Sequence, residues 1–153
     1  MDPLQRLIAI EDIRQLAARY AHFRDGLHLD ALVDLFAPDA VCEFGEKFGG
    51  AVIGADAIRR HFAKSMTAYG EGLRYGTLHV TTTHHIEIES ADRASGRCFL
   101  VDFITTDRTQ PLKFLIVYDD AYTRIDGAWK FARRTLELIW PENHGTQRLA
   151  GQP

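Results

Sequence analysis

LKFLIVYDDAYTRIDGAWKFARRTLELIW, residues 112–140, reads as two long strands joined by a tight turn. β-Branched and aromatic residues alternate with polar ones through Leu112–Ile125 and again through Ala128–Trp140. Between them Asp126-Gly127 is the two-residue signature of a hairpin, because both central positions need positive φ. Working back, Leu78–Glu89 and Gly96–Thr106 have the same strand character, with a turn over Ser90–Gly96. The second half of the chain is thus predicted to be four long antiparallel strands.

The first half has a different period. In residues 4–24, Leu4, Leu7, Ile8, Ile13, Leu16, Ala17, Tyr20 and Ala21 recur at three- and four-residue steps, the stripe of an amphipathic helix. Asp2 and Pro3 suit its start and Gly26 its stop. A short helix over Asp30–Phe36 is expected to end at the turn Ala37-Pro38-Asp39, followed by a short strand, Val41–Phe44. The glycine-rich stretch Gly45–Gly54 lacks the Gly-Lys-Ser/Thr of a phosphate loop and reads as a hairpin or lid. Ala55–Tyr69 is a third helix, with Ile58, Phe62 and Met66 on one side. Helices first and strands after define an α+β domain, three helices packed on one face of a curved sheet. Residues 1–141 form this one domain and residues 142–153 a polar tail.

Composition narrows the function. The 153 residues are 46% hydrophobic and 25% charged, ordinary for a soluble domain. A net charge of −3 argues against nucleic acid as a partner. No apolar run is long enough to span a membrane, and Met1-Asp2-Pro3-Leu4 lacks the order of a signal peptide, so a cytoplasmic location is expected. Cys42 and Cys98 have no metal-binding spacing and read as reduced core thiols.

Three features do not fit a plain core. Asp102 shares a strand face with Cys98, Leu100 and Ile104, so it is either a buried structural carboxylate or one lining a wet pocket. His79, His84 and His85 lie in one strand, but the adjacent pair must face opposite ways and cannot chelate together. Strict alternation also sets His79 with His85, Glu87 and Glu89 on a solvent face, unless a bulge changes the parity. Asp25 sits at a helix C-terminus, where the dipole disfavours a carboxylate. It is either solvated beside Gly26 or held by a donor.

The order of elements, the opening Ala9-Ile10-Glu11-Asp12-Ile13-Arg14-Gln15-Leu16, the segment Phe36-Ala37-Pro38-Asp39-Ala40 and the Asp126-Gly127-Ala128-Trp129 hairpin resemble the nuclear transport factor 2-like superfamily. The resemblance runs from Ile8 to Trp140 and is greatest to its SnoaL-like branch, which holds scytalone dehydratase, hexachlorocyclohexane dehydrochlorinase and bile-acid 7α-dehydratase. It implies a cone-like α+β barrel with a strongly curved, mostly antiparallel mixed sheet. It also implies a catalytic set. Asp25 matches the helix-end aspartate, His79 the strand histidine paired with it, and Tyr20 and Asp102 the bile-acid dehydratase's tyrosine and second aspartate. That enzyme's C-terminal arginine falls at Leu138 here, and the asparagine of scytalone dehydratase at Tyr118, which argues against either substrate.

The resemblance implies an Asp25–His79 dyad that abstracts a proton from carbon, with Tyr20 or Asp102 assisting the leaving group. The expected reaction is a cofactor-independent, metal-independent elimination on a small cyclic, largely apolar molecule. The alternatives are a ketosteroid-isomerase or polyketide-cyclase type of enzyme, with Asp102 as the central acid, and a non-catalytic binding or assembly domain. A homodimer or homotrimer is expected, because Phe99, Val101 and Phe103 leave the sheet's second face apolar.

Overall fold

A computed structural model describes residues 1–141; the predicted polar tail lies outside the described residues. The elements are α1 (Pro3–Asp25), α2 (Leu29–Val33), β1 (Phe36–Glu43), β2 (Ala51–Ile53), α3 (Ala55–Ala68), β3 (Thr77–Ile88), β4 (Arg93–Ile104), β5 (Leu112–Ile125) and β6 (Ala128–Trp140). The strands form one mixed sheet in the order β2-β1-β6-β5-β4-β3, with β1 parallel to β6 and every other pair antiparallel. The three helices pack on this six-stranded sheet, an α+β architecture.

α1 starts with a reciprocal capping box: the Gln5 backbone N–H donates to Asp2 Oδ1 at 2.9 Å, and the Asp2 N–H donates to Gln5 Oε1 at 3.0 Å. Its inward stripe is Ala9, Ile13, Leu16, Ala17, Tyr20, Ala21 and Arg24. Leu4, Leu7 and Ile8, expected on that stripe, are instead more than half exposed. Gly26 follows the helix, and the left-handed turn comes one residue later, at Leu27 with φ 59°. Glycine is needed at 26 for space: a Cβ there would lie 2.7 Å from the His28 ring and 2.9 Å from the His22 carbonyl oxygen.

Two expectations between the helices are corrected. α2 ends at Val33 rather than Phe36, and Ala37-Pro38-Asp39 is inside β1 rather than in a turn. Phe36 already pairs with Phe131, and the ladder resumes at Val41 with a shifted register. Pro38 has no N–H to donate, so the strand passes this point without regular pairing. Gly45–Gly54 is a hairpin whose tip carries a single 3-10 turn, Glu46–Phe48. The turn predicted over Ser90–Gly96 is shorter, since β4 begins at Arg93.

The correction that matters most for the site is in β3. Inward residues are Thr77, His79 and Thr81 in its first half, but His84, Ile86 and Ile88 in its second. The register against β4 shifts between Thr82 and His85, and Thr83 has φ 51°. This bulge inserts one residue, so His79 faces the interior although it shares parity with the exposed His85 and Glu87. β6 has a similar shift opposite Ala121–Tyr122, which turns Arg134 inward where alternation from Phe131 would point Arg133.

A β-branched residue in the left-handed region costs about 1–2 kcal/mol, and glycine's extra freedom returns about 0.5–1 kcal/mol of that. Thr83→Gly is therefore expected to stabilise the fold by roughly 0.5–1 kcal/mol in urea unfolding. A destabilised variant would mean that Thr83 does not carry the strain of the bulge.

Candidate active site

α1 ends against the first residues of β3, and the contact is made by Asp25. Its carboxylate is buried, 4% exposed, and three donors surround it. The His79 backbone N–H donates to Oδ2 at 2.8 Å, Thr77 Oγ1 donates to Oδ1 at 3.2 Å, and His79 Nδ1 lies 2.5 Å from Oδ1. The Asp25 carbonyl also accepts from the Tyr75 N–H at 2.8 Å. Of the two readings of Asp25, the solvated one is therefore excluded. The unfavourable helix end is offset by donors from the neighbouring strand. The tautomer that hydrogen-bonds this carboxylate has its proton on Nδ1, with Nε2 as the other ring nitrogen.

His79 lines an open cavity of about 710 Å³ between α1, α3, the β1–β2 hairpin and the sheet. Tyr20 and Asp102 line it too, so the cavity brings together His79, Tyr20 and Asp102, with Asp25 directly behind His79. The Tyr20 ring meets the His79 ring edge to face, 6.4 Å between centroids. Asp102 pairs across the ladder with His79, and its Oδ1 is buried without a hydrogen-bond partner among the described residues. Burial pushes its carboxyl group up from its ordinary value, while His79 and Arg24 pull the other way. A protonated Asp102 is a proton donor facing the cavity.

Beneath the cavity lies a buried cation. Arg134 is fully buried and makes a two-pronged ion pair with Asp120, Nε to Oδ1 and Nη2 to Oδ2, both 2.8 Å. Its guanidinium lies 4.0 Å from the ring centroids of Tyr118 and Phe131 and 4.3 Å from that of Tyr20. The Tyr122 hydroxyl donates to Asp120 Oδ2 at 3.0 Å, and its oxygen is 3.0 Å from His84 Nε2. Since that hydroxyl proton is committed to Asp120, His84 Nε2–H must be the donor to the Tyr122 oxygen. Burial lowers the His84 pKa, consistent with a neutral ring. His84 thus belongs to the floor, while His85 is exposed on the other face. Burial also pushes the Cys42 and Cys98 thiols up to about 12 and about 11, and both are free.

Three residues of the site, Arg24, His61 and Arg134, escaped the sequence reading, and a fourth, Tyr118, entered it only as a departure from scytalone dehydratase. Arg24 lines the cavity and was legible, because it continues the helical step Ile13-Leu16-Tyr20. His61 stacks on Phe44 at 4.4 Å, and burial, then Arg24 and Lys64, lower its pKa. Tyr118 faces the cavity on the same strand face as Ile116, a position alternation within β5 supports. Arg134 is inward only through the β6 irregularity and had no sequence signal.

Comparison with known proteins identifies the family and the fold. A profile described as a SnoaL-like domain matches residues 5–135. A putative scytalone dehydratase from Novosphingobium aromaticivorans has a similar structure, with TM-score 0.76 and 23% identity over 88% of this chain and 87% of that one. A protein of unknown function from Mycobacterium tuberculosis, determined as an Asp-to-Asn variant, has TM-score 0.76 and 26% identity over 91% of this chain and 77% of its own. Hexachlorocyclohexane dehydrochlorinase type 3 from Novosphingobium barchaimii has TM-score 0.74 and 19% identity over 91% of this chain and 92% of its own.

An acid that holds its proton more tightly folded than unfolded loses stability as pH climbs past its unfolded value, about 3.9. The Asp102 shift is in that direction, so Asp102→Asn is expected to raise Tm at pH 7 and to raise it less at pH 4. Equal changes at both pH values would show that Asp102 is not held as the neutral acid.

Proposed function

The chain belongs to the SnoaL-like domain family, and on that premise we propose that it is a cofactor-independent lyase of the dehydratase type. Its substrate is a small cyclic, largely apolar molecule with a leaving group β to an acidic C–H bond. The observation that carries this reading is the Asp25–His79 contact at the wall of an open cavity.

The chemistry follows from the side chains. His79 Nε2 takes the proton from carbon, and Asp25 stabilises the imidazolium that forms. The electron pair of the broken C–H bond becomes the new C=C bond, and the bond to the β-oxygen breaks. Asp102, protonated, gives its proton to the departing oxygen, which leaves as water, and the proton on His79 is then returned to Asp102 or to solvent. Tyr20 faces the same space, and burial raises its pKa despite the opposing Arg134 charge, so it is a neutral hydroxyl that hydrogen-bonds the leaving group or the developing oxyanion.

An isomerase of the ketosteroid type is the second reading, favoured by Asp102 alone: a half-buried acid facing the cavity, its Oδ1 without a hydrogen-bond partner among the described residues, can shuttle a proton between two carbons. The two readings differ in what they ask of His79.

Cyclic β-hydroxy and β-halo carbonyl compounds, screened by the absorbance of the conjugated product, test the proposal. For a turned-over compound, Asp25→Asn and His79→Ala are each expected to lower kcat by about 10²–10⁴ with the fold intact by circular dichroism. Full turnover by Asp25→Asn overturns the dyad. Loss of rate only in Asp102→Asn, with His79→Ala active, selects the isomerase.

A further inference from the structure

Arg24 immediately precedes Asp25 on the inward stripe of α1, and it is 5% exposed. It lines the cavity, yet among the described residues its guanidinium has no hydrogen-bond or ion-pair partner, and its Nη1 is buried and unsatisfied. The other buried arginine, Arg134, shows what the fold does with a cation that serves structure: Asp120 grips it with two hydrogen bonds. Arg24 has no such carboxylate. Two acids share the cavity with it, Asp102 and Glu46; neither forms an ion pair with it among the described residues, and the Oδ1 of Asp102 is equally unsatisfied.

A desolvated cation without a hydrogen-bonded counter-charge is costly, and proteins neutralise one by pairing it. The open space beside Arg24 is the cavity itself. The lining has more cations than acids, since Lys47, Arg60 and Lys64 join Arg24 against Glu46 and Asp102, although the whole chain is net negative. A cavity of this sign draws in anions.

We propose that Arg24 is the anchor for a carboxylate on the substrate, which makes the ligand class of this cavity cyclic organic acids rather than neutral cyclic molecules. The inference deepens the lyase reading, naming its substrate class, and rests on that reading for the chemistry but not for the binding. The guanidinium takes the carboxylate through charge-assisted hydrogen bonds, which fixes the ring of the substrate between His79 and Asp102. Arg24 is then a binding residue, and its burial without a partner among the described residues is the cost of having it ready.

Binding of cyclohexanecarboxylate and of cyclohexanecarboxamide, measured by calorimetry, separates charge from shape. Wild-type protein is expected to bind the carboxylate about tenfold tighter than the amide or better, and Arg24→Met to reduce that preference to less than about twofold. Arg24→Lys should retain part of it. His79→Ala should retain it while losing turnover, so failure of the anchor and failure of the dyad give different results. Without ligand, Arg24→Met is expected to melt at or above the wild-type temperature, because it removes an unpaired buried charge and keeps the apolar stem. Equal affinity for the two probes, no measurable carboxylate binding, or a preference that survives in Arg24→Met overturns the proposal. So does a marked fall in the melting temperature of Arg24→Met, which would make Arg24 a structural cation.

Discussion

The carboxylate of Asp25 is the constraint on which the site depends. It is an ionisable group at the negative end of a 23-residue helix, out of reach of water, and such a group persists only if donors surround it. All its side-chain donors come from β3: a threonine hydroxyl, a backbone N–H and an imidazole N–H. The same bonds that make the aspartate tolerable therefore fix the end of α1 on the edge strand of the sheet and set the orientation of His79. Position and chemistry come from one set of contacts.

The floor of the cavity follows the same logic with opposite sign. Arg134 is tolerable in the core because Asp120 takes two of its donors and three aromatic faces take its charge. In return it holds Tyr20 and Tyr118 beside the cavity. Removing one partner of such a pair leaves an uncompensated charge, a loss of about 3–5 kcal/mol. Two buried charge centres, one at the wall and one at the floor, thus frame an apolar space lined by Phe44, Leu100, Phe114 and Ile116.

The architecture was legible because it rests on periodicity. The change from a three-to-four-residue step to alternation, with Asp126-Gly127 between the last two strands, gives helices followed by a sheet, and both strands of that hairpin have the bounds the alternation implies. Asp102 was legible for the same reason, since its strand keeps regular parity through Cys98 and Leu100. Alternation alone misplaced His79, because a single inserted residue at Thr83 reverses every later side chain of β3. Nothing in Thr81-Thr82-Thr83 marks the bulge. Arg134 was hidden by the corresponding irregularity in β6, and Pro38, read as a turn, passes through a strand where the ladder is interrupted. The misses are thus at points where pairing departs from its period, and two of the three turn a functional or supporting side chain inward.

The central claim is that Asp25 sets the protonation geometry of His79, and the ring itself reports this. Nitrogen-15 shifts of the His79 imidazole at neutral pH distinguish its tautomers directly. The expected result is a proton on Nδ1, facing Asp25, with Nε2 unprotonated toward the cavity. A proton resident on Nε2 with Nδ1 bare would place two acceptors face to face, leave no base toward the substrate, and contradict the account.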